Sequence, residues 1–170
     1  MQKLFLFLFL LPVLFTVAHA QSIELRAGSN AMPGNFLSIG YEHYSNWPIN
    51  ISGKLFAEGS TIHGLQYKAY GIDLLGEYGS KQDDNAESIF AFRAGLGVTG
   101  QIESEPWIYG GLSTVKRMNY GFIGVASGEW WMSENFCLSV FGQQKWLFNS
   151  ALGSRRSAFG LGLKFRLNNY

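Results

Sequence analysis

The residue types that could carry chemistry are few and poorly placed for it. Beyond residue 20 the histidines are His43 and His63, and neither sits in a His-x-His or His-Glu-x-x-His spacing that would hold a metal. Aspartate occurs at 73, 83 and 84. The adjacent pair lies in Gly79-Ser-Lys-Gln-Asp-Asp-Asn85, which reads as a solvated turn rather than a carboxylate dyad. Gly95-Leu-Gly-Val-Thr-Gly100 imitates a dinucleotide-binding glycine pattern, but no helical period follows it. No Ser–His–Asp set has a nucleophile-elbow spacing, and the lone Cys137 reads as a small packing residue. The expectation is a chain with no enzymatic activity, no metal and no cofactor.

The charged residues are more telling because they share a parity with glycine. In Ser157–Leu167, Phe159, Leu161, Leu163, Phe165 and Leu167 alternate with Ala158, Gly160, Gly162, Lys164 and Arg166. A period of two makes a strand with one wholly apolar face and one small or cationic face. Seven similar runs precede it, around Ile23–Ala27, Leu37–Glu42, Ile51–Glu58, Tyr70–Tyr78, Phe90–Thr99, Tyr120–Trp131 and Phe136–Lys145. Phe122–Glu129 does not alternate cleanly, so a bulge is expected there and its facing stays open. Gln101 to about Asn119 reads as the longest irregular segment, and Gly59–Gly64 as a break.

The N-terminus sets the compartment. Lys3, the apolar run Leu4–Val17 and Val17-Ala-His-Ala20 form a secretory signal ending in a small-x-small site. Residues 21–170 are then one domain with 12 basic and 12 acidic residues. That balance gives no electrostatic reason to expect direct nucleic-acid binding. An exported, cysteine-poor chain rich in glycine and aromatics suits an outer-membrane location, and no later stretch is long enough for a membrane helix. The fold class expected is all-β: a small antiparallel transmembrane β-barrel of eight strands.

With both termini on the periplasmic side, Gly28–Asn35, Gly59–Leu65, Gln101–Asn119 and Asn149–Arg156 become external. The longest link then falls outside and the tightest, Met132–Asn135, inside. The polar parity points inward and collects Glu24, Arg26, Glu42, Lys54, Glu58, Asp73, Glu77, Arg93, Gln143, Lys145, Lys164 and Arg166. A barrel this narrow is filled by its own side chains, so these charges should pair across the lumen. The alternative is a narrow polar conduit or a ligand site. Tyr41, Tyr70, Tyr78, Trp107, Tyr109, Trp130, Trp131, Trp146 and Phe148 fall near strand ends, where they would form interfacial girdles. Two basic doublets, Lys116-Arg117 and Arg155-Arg156, land on external connections. They read either as contacts to outer-membrane lipid, lipopolysaccharide phosphates included, or to an anionic partner at the cell surface, or as ordinary solvated charge.

Four segments resemble the TraO conjugal transfer proteins of conjugative transposons in Bacteroides-type bacteria. They are Ala91-Phe-Arg-Ala-Gly-Leu-Gly-Val-Thr-Gly100, Gly128-Glu-Trp-Trp-Met-Ser133, Gln143-Gln-Lys-Trp-Leu-Phe-Asn-Ser150 and Phe159-Gly-Leu-Gly-Leu-Lys-Phe165. The first half of the chain departs from that pattern. The resemblance implies an outer-membrane component of a DNA-transfer apparatus, with other conjugation proteins as partners and no catalytic residues. The alternative is a general small outer-membrane barrel, or a narrow channel, unrelated to conjugation.

Overall fold

The computed structural model describes residues 21–31, 34–44, 48–62, 65–79, 90–107, 113–150 and 153–167. The expected signal segment, 1–20, lies outside them, as do His63, Asp83, Asp84 and Tyr109. Eight strands follow in order: β1 (Gln21–Asn30), β2 (Gly34–His43), β3 (Ile49–Ile62), β4 (Leu65–Gly79), β5 (Phe90–Trp107), β6 (Ser113–Trp131), β7 (Phe136–Phe148) and β8 (Arg155–Arg166). Each pairs antiparallel with the next, and β8 returns to β1, so the sheet closes as a barrel. Closure leaves no unpaired edge, which a strand-built membrane protein requires.

One hydrogen-bonded row shows both the stagger and the sorting of faces. From Trp130 it passes through Leu138, Leu163, Leu25, Ile39, Leu55, Ile72 and Gly100, and returns to β6 at Tyr120. It comes back ten residues along β6 from where it began, the shear that tilts strands by about 35–45° in a small barrel. Apart from Gly100 the row is apolar, and it faces outward. Other outward side chains are more exposed still, with Phe92 at 79%, Leu96 at 74% and Met118 at 74%. A soluble monomer does not leave such a belt in water, so this surface faces lipid. Two polar residues on it, Gln144 and Ser157, are paired. Ser157 donates to Gln144, whose amide donates to the Lys145 and Arg156 carbonyls at 3.0 Å each.

Three expectations are corrected. Residues 101–107 and 113–119 are strand rather than irregular: β5 and β6 stay in one register from Phe90↔Trp130 to Trp107↔Ser113. The alternation Gln101-Ile-Glu-Ser104 carries the strand on, and its inward polar residues resemble those of a loop. The same unbroken register removes the expected bulge in β6. Ile123, Val125, Ser127, Glu129 and Trp131 point inward, opposite Phe122, Gly124, Ala126 and Trp130. The pattern was obscured because the inward face carries Ile and Val while the outward face carries Gly and Ala. Likewise Gly59–Ile62 belongs to β3 and pairs with β4 up to Ile62↔Leu65.

The loop-length asymmetry is overturned as well. The longest interval between strands, 80–89, lies at the end that holds the termini. What distinguishes the opposite end is strand length, since β5 and β6 run on well past the β1–β2 hairpin there.

Candidate functional site

The inward side chains form two charged networks with an apolar layer between them. In the half nearer the termini, Arg26 Nε lies 2.9 Å from Glu24, and Lys54 Nζ lies 3.2 Å from Glu24 and 2.8 Å from Glu77. Beside them, Lys164 contacts Glu42 at 2.7 Å and Glu129, while Arg93 contacts Glu129 at 3.0 Å and Glu42. Four cations therefore meet four carboxylates. Ser52 donates to Glu77 at 2.8 Å and Asn50 to Glu42 at 3.2 Å, adding neutral donors to the same oxygens. Lys164 is 0% exposed and Arg26 1%. Ions taken this far from water persist only when paired, and each of these four cations lies against at least one carboxylate.

The other half holds Lys145, 3.3 Å from both Glu58 and Asp73, and Arg156, 3.5 Å from Glu58 and in contact with Glu103. Two cations face three carboxylates there. Several buried polar atoms in this half have no hydrogen-bond partner in the protein, among them both amide atoms of Asn119, Ser60 Oγ and the Gln101 carbonyl oxygen. Glu58, Ser60, Tyr67 and Arg156 line a cavity of about 170 Å³ at this end. A cavity of that size accommodates water, with Glu58, Ser60, Tyr67 and Arg156 as polar partners.

Between the halves, Phe36 lies against Phe56 and Phe141, with ring centroids 6.4 and 5.7 Å away. Arg26 covers Phe141 from one side at 4.9 Å, and Lys145 Nζ sits 3.0 Å from the Phe56 centroid on the other. Phe36 on β2 and Phe141 on β7 are separated in the sheet by β1 and β8. They meet because the row between them runs Gly28↔Gly160, two residues without side chains. A Cβ on either glycine would strike the backbone of the neighbouring strand. A second buried cluster, Leu75, Ile123 and Val125, thickens the layer.

Each residue expected inside is inside: Glu24, Arg26, Glu42, Lys54, Glu58, Asp73, Glu77, Arg93, Gln143, Lys145 and Lys164, with Arg166 at the termini end, its guanidinium 4.6 Å from the Trp131 ring centroid. Trp131 therefore leaves the expected girdle and points inward, while Tyr70, Tyr78, Trp130, Trp146 and Phe148 face out. Of the expected external cations, Lys116, Arg117 and Arg155 are exposed. Arg156 is corrected. It is 9% exposed and turned into the lumen against Glu58 and Glu103. Counting the parity back from Lys164 through Gly162, Gly160 and Ala158 reaches it, so the signal was in the strand's own alternation. Glu103 and Glu129 were missed for the reasons that hid their strands.

Similar architecture occurs in solved structures. The Neisserial surface protein A (NspA) matches with a TM-score of 0.65 at 14% identity, over 87% of this chain and 96% of that one. The N-terminal barrel domain of Pseudomonas aeruginosa OprF gives 0.60 at 11%, over 87% and 97%. The attachment invasion locus protein Ail of Yersinia pestis gives 0.59 at 11%, over 89% and 100%. The fold is that of an outer-membrane β-barrel. At these identities the likeness concerns fold alone. No family model matches the sequence, and no curated protein matches it.

Proposed function

We propose that this protein is exported to the outer membrane and serves there as a closed scaffold that offers its projecting β5–β6 hairpin to partners and conducts nothing. The observation that carries this reading is the filled lumen, in which three contacting phenylalanine rings lie between two ion networks. A conduit would need a continuous polar path, and the Phe36–Phe56–Phe141 layer interrupts it. The outward apolar belt supports placement in a bilayer. Cell fractionation with heat-modifiable gel mobility tests that placement. The expected result is an outer-membrane band whose migration changes on boiling, and recovery in the soluble periplasm without detergent contradicts it. Retention of partners from solubilised membranes tests the scaffold role, and shortening the hairpin at 104–116 should abolish it.

The narrower form of the proposal is service to a conjugative apparatus. Its support is the resemblance to TraO proteins, whose four segments fall on the consecutive strands β5, β6, β7 and β8. Deleting the gene from a donor strain should lower transfer frequency, and the tagged protein should retain other transfer proteins. Undiminished transfer would leave the general barrel reading in place and remove this one.

A further inference from the structure

The outward Leu/Ile row has one gap, at Gly100 on β5. A Cβ built there meets nothing within 4 Å. The gap opens a lipid-facing hollow of about 680 Å³, walled by Ile72 and Tyr70 on β4, Val98 and Ile102 on β5, and Met118 and Tyr120 on β6. Its lining is almost wholly apolar, and it runs along β5 towards the end opposite the termini.

The next outward rows settle what lies at its mouth. Tyr70↔Ile102↔Met118 comes first, and Lys68↔Ser104↔Lys116 follows two residues further out. The lysines thus flank Ser104 on neighbouring strands, with backbones about 10 Å apart. Both are exposed, and neither pairs with a carboxylate among the described residues. The nearby Glu103 is turned inward and held by Arg156. Two uncompensated ammonium groups, with a hydroxyl between them, stand directly above an apolar slot.

We propose that this face of β4–β6 holds one lipopolysaccharide molecule, with an acyl chain in the hollow at Gly100 and a phosphate between Lys68 and Lys116. Charge complementarity selects an anionic head group, and the hollow selects a ligand with an acyl chain over a free anion. The leaflet selects lipopolysaccharide, because the Lys68–Lys116 row lies at the end opposite the termini. That last step rests on the outer-membrane placement proposed above.

The test uses the full folded chain in detergent, titrated with purified lipopolysaccharide and, separately, with phosphatidylglycerol, bound lipid being counted by native mass spectrometry. The double variant Lys68→Gln/Lys116→Gln should weaken lipopolysaccharide binding by about tenfold. Gly100→Leu, which fills the slot with an apolar side chain, should weaken it comparably. Arg117→Gln removes an equal charge from the inward parity of the same hairpin and should leave binding within about twofold. Wild-type affinity in the lysine double variant overturns the proposal. So does equal weakening by Arg117→Gln, or equally tight binding of phosphatidylglycerol. If Gly100→Leu does not fold, the lysine pair decides alone. A wild-type protein that shows no heat-modifiable mobility counts against the barrel reading, whereas a folded one that binds no lipopolysaccharide counts against this inference only.

Discussion

The two halves of the lumen solve the same problem differently. Near the termini, four cations and four carboxylates pair with short contacts and draw further hydrogen bonds from Ser22, Ser52, Ser139 and Asn50. Towards the other end, three carboxylates share Lys145 and Arg156, and neighbouring amide and hydroxyl groups find no protein partner. The first arrangement balances its formal charge, although both Nη atoms of Arg26 find no hydrogen-bond acceptor among the described residues. The second suits a chamber open to water, where a higher effective dielectric tolerates imperfect pairing. The Phe36–Phe56–Phe141 layer keeps the two apart.

Substitutions can break this contrast or sharpen it. Lys164→Met leaves Glu42 and Glu129 to share Arg93 alone, one cation for two buried carboxylates, and should cost about 3–5 kcal/mol in urea unfolding of the detergent-folded barrel. A loss no larger than that of an exposed lysine would dissolve the distinction. Phe141→Ala opens the dividing layer, with an expected cost of about 3 kcal/mol in the same assay. Gly28→Ala pushes a methyl group into the β8 backbone and should cost about 1–3 kcal/mol. Lys145→Met, in the chamber half, should cost about 1–2 kcal/mol, since water can solvate the carboxylates it leaves. If it matched Lys164→Met, the two halves would be equivalent. The smallest effect is expected at Gly100→Ala, within about 0.5 kcal/mol, because that site faces open space.

The barrel was legible because period-two alternation is strong wherever one face is Leu, Ile or Phe and the other Gly, Glu or Lys, as in Phe159–Leu167. Strand number and inward parity followed from it. Legibility failed where a face departs from that code. Ile123 and Val125 point inward because they build the apolar layer, and Gly124 and Ala126 point outward beside Leu96 and Trp146. Local alternation therefore could not identify the facing of β6, which the register with β5 supplies. Glu103 lies on a strand extension whose polar residues resemble those of a loop. The division into two networks was not legible at all, because it depends on which residues of different strands meet across the lumen. The same holds for the slot at Gly100, which exists only when β4, β5 and β6 are side by side.

The central claim is that the lumen is closed. Single-channel recording of the folded protein in a planar bilayer tests it most directly. The wild-type barrel should show no conductance above the bare membrane, whereas Phe36→Ala/Phe56→Ala/Phe141→Ala should admit ions through the opened layer. A steady conductance from the wild-type protein would contradict a closed lumen.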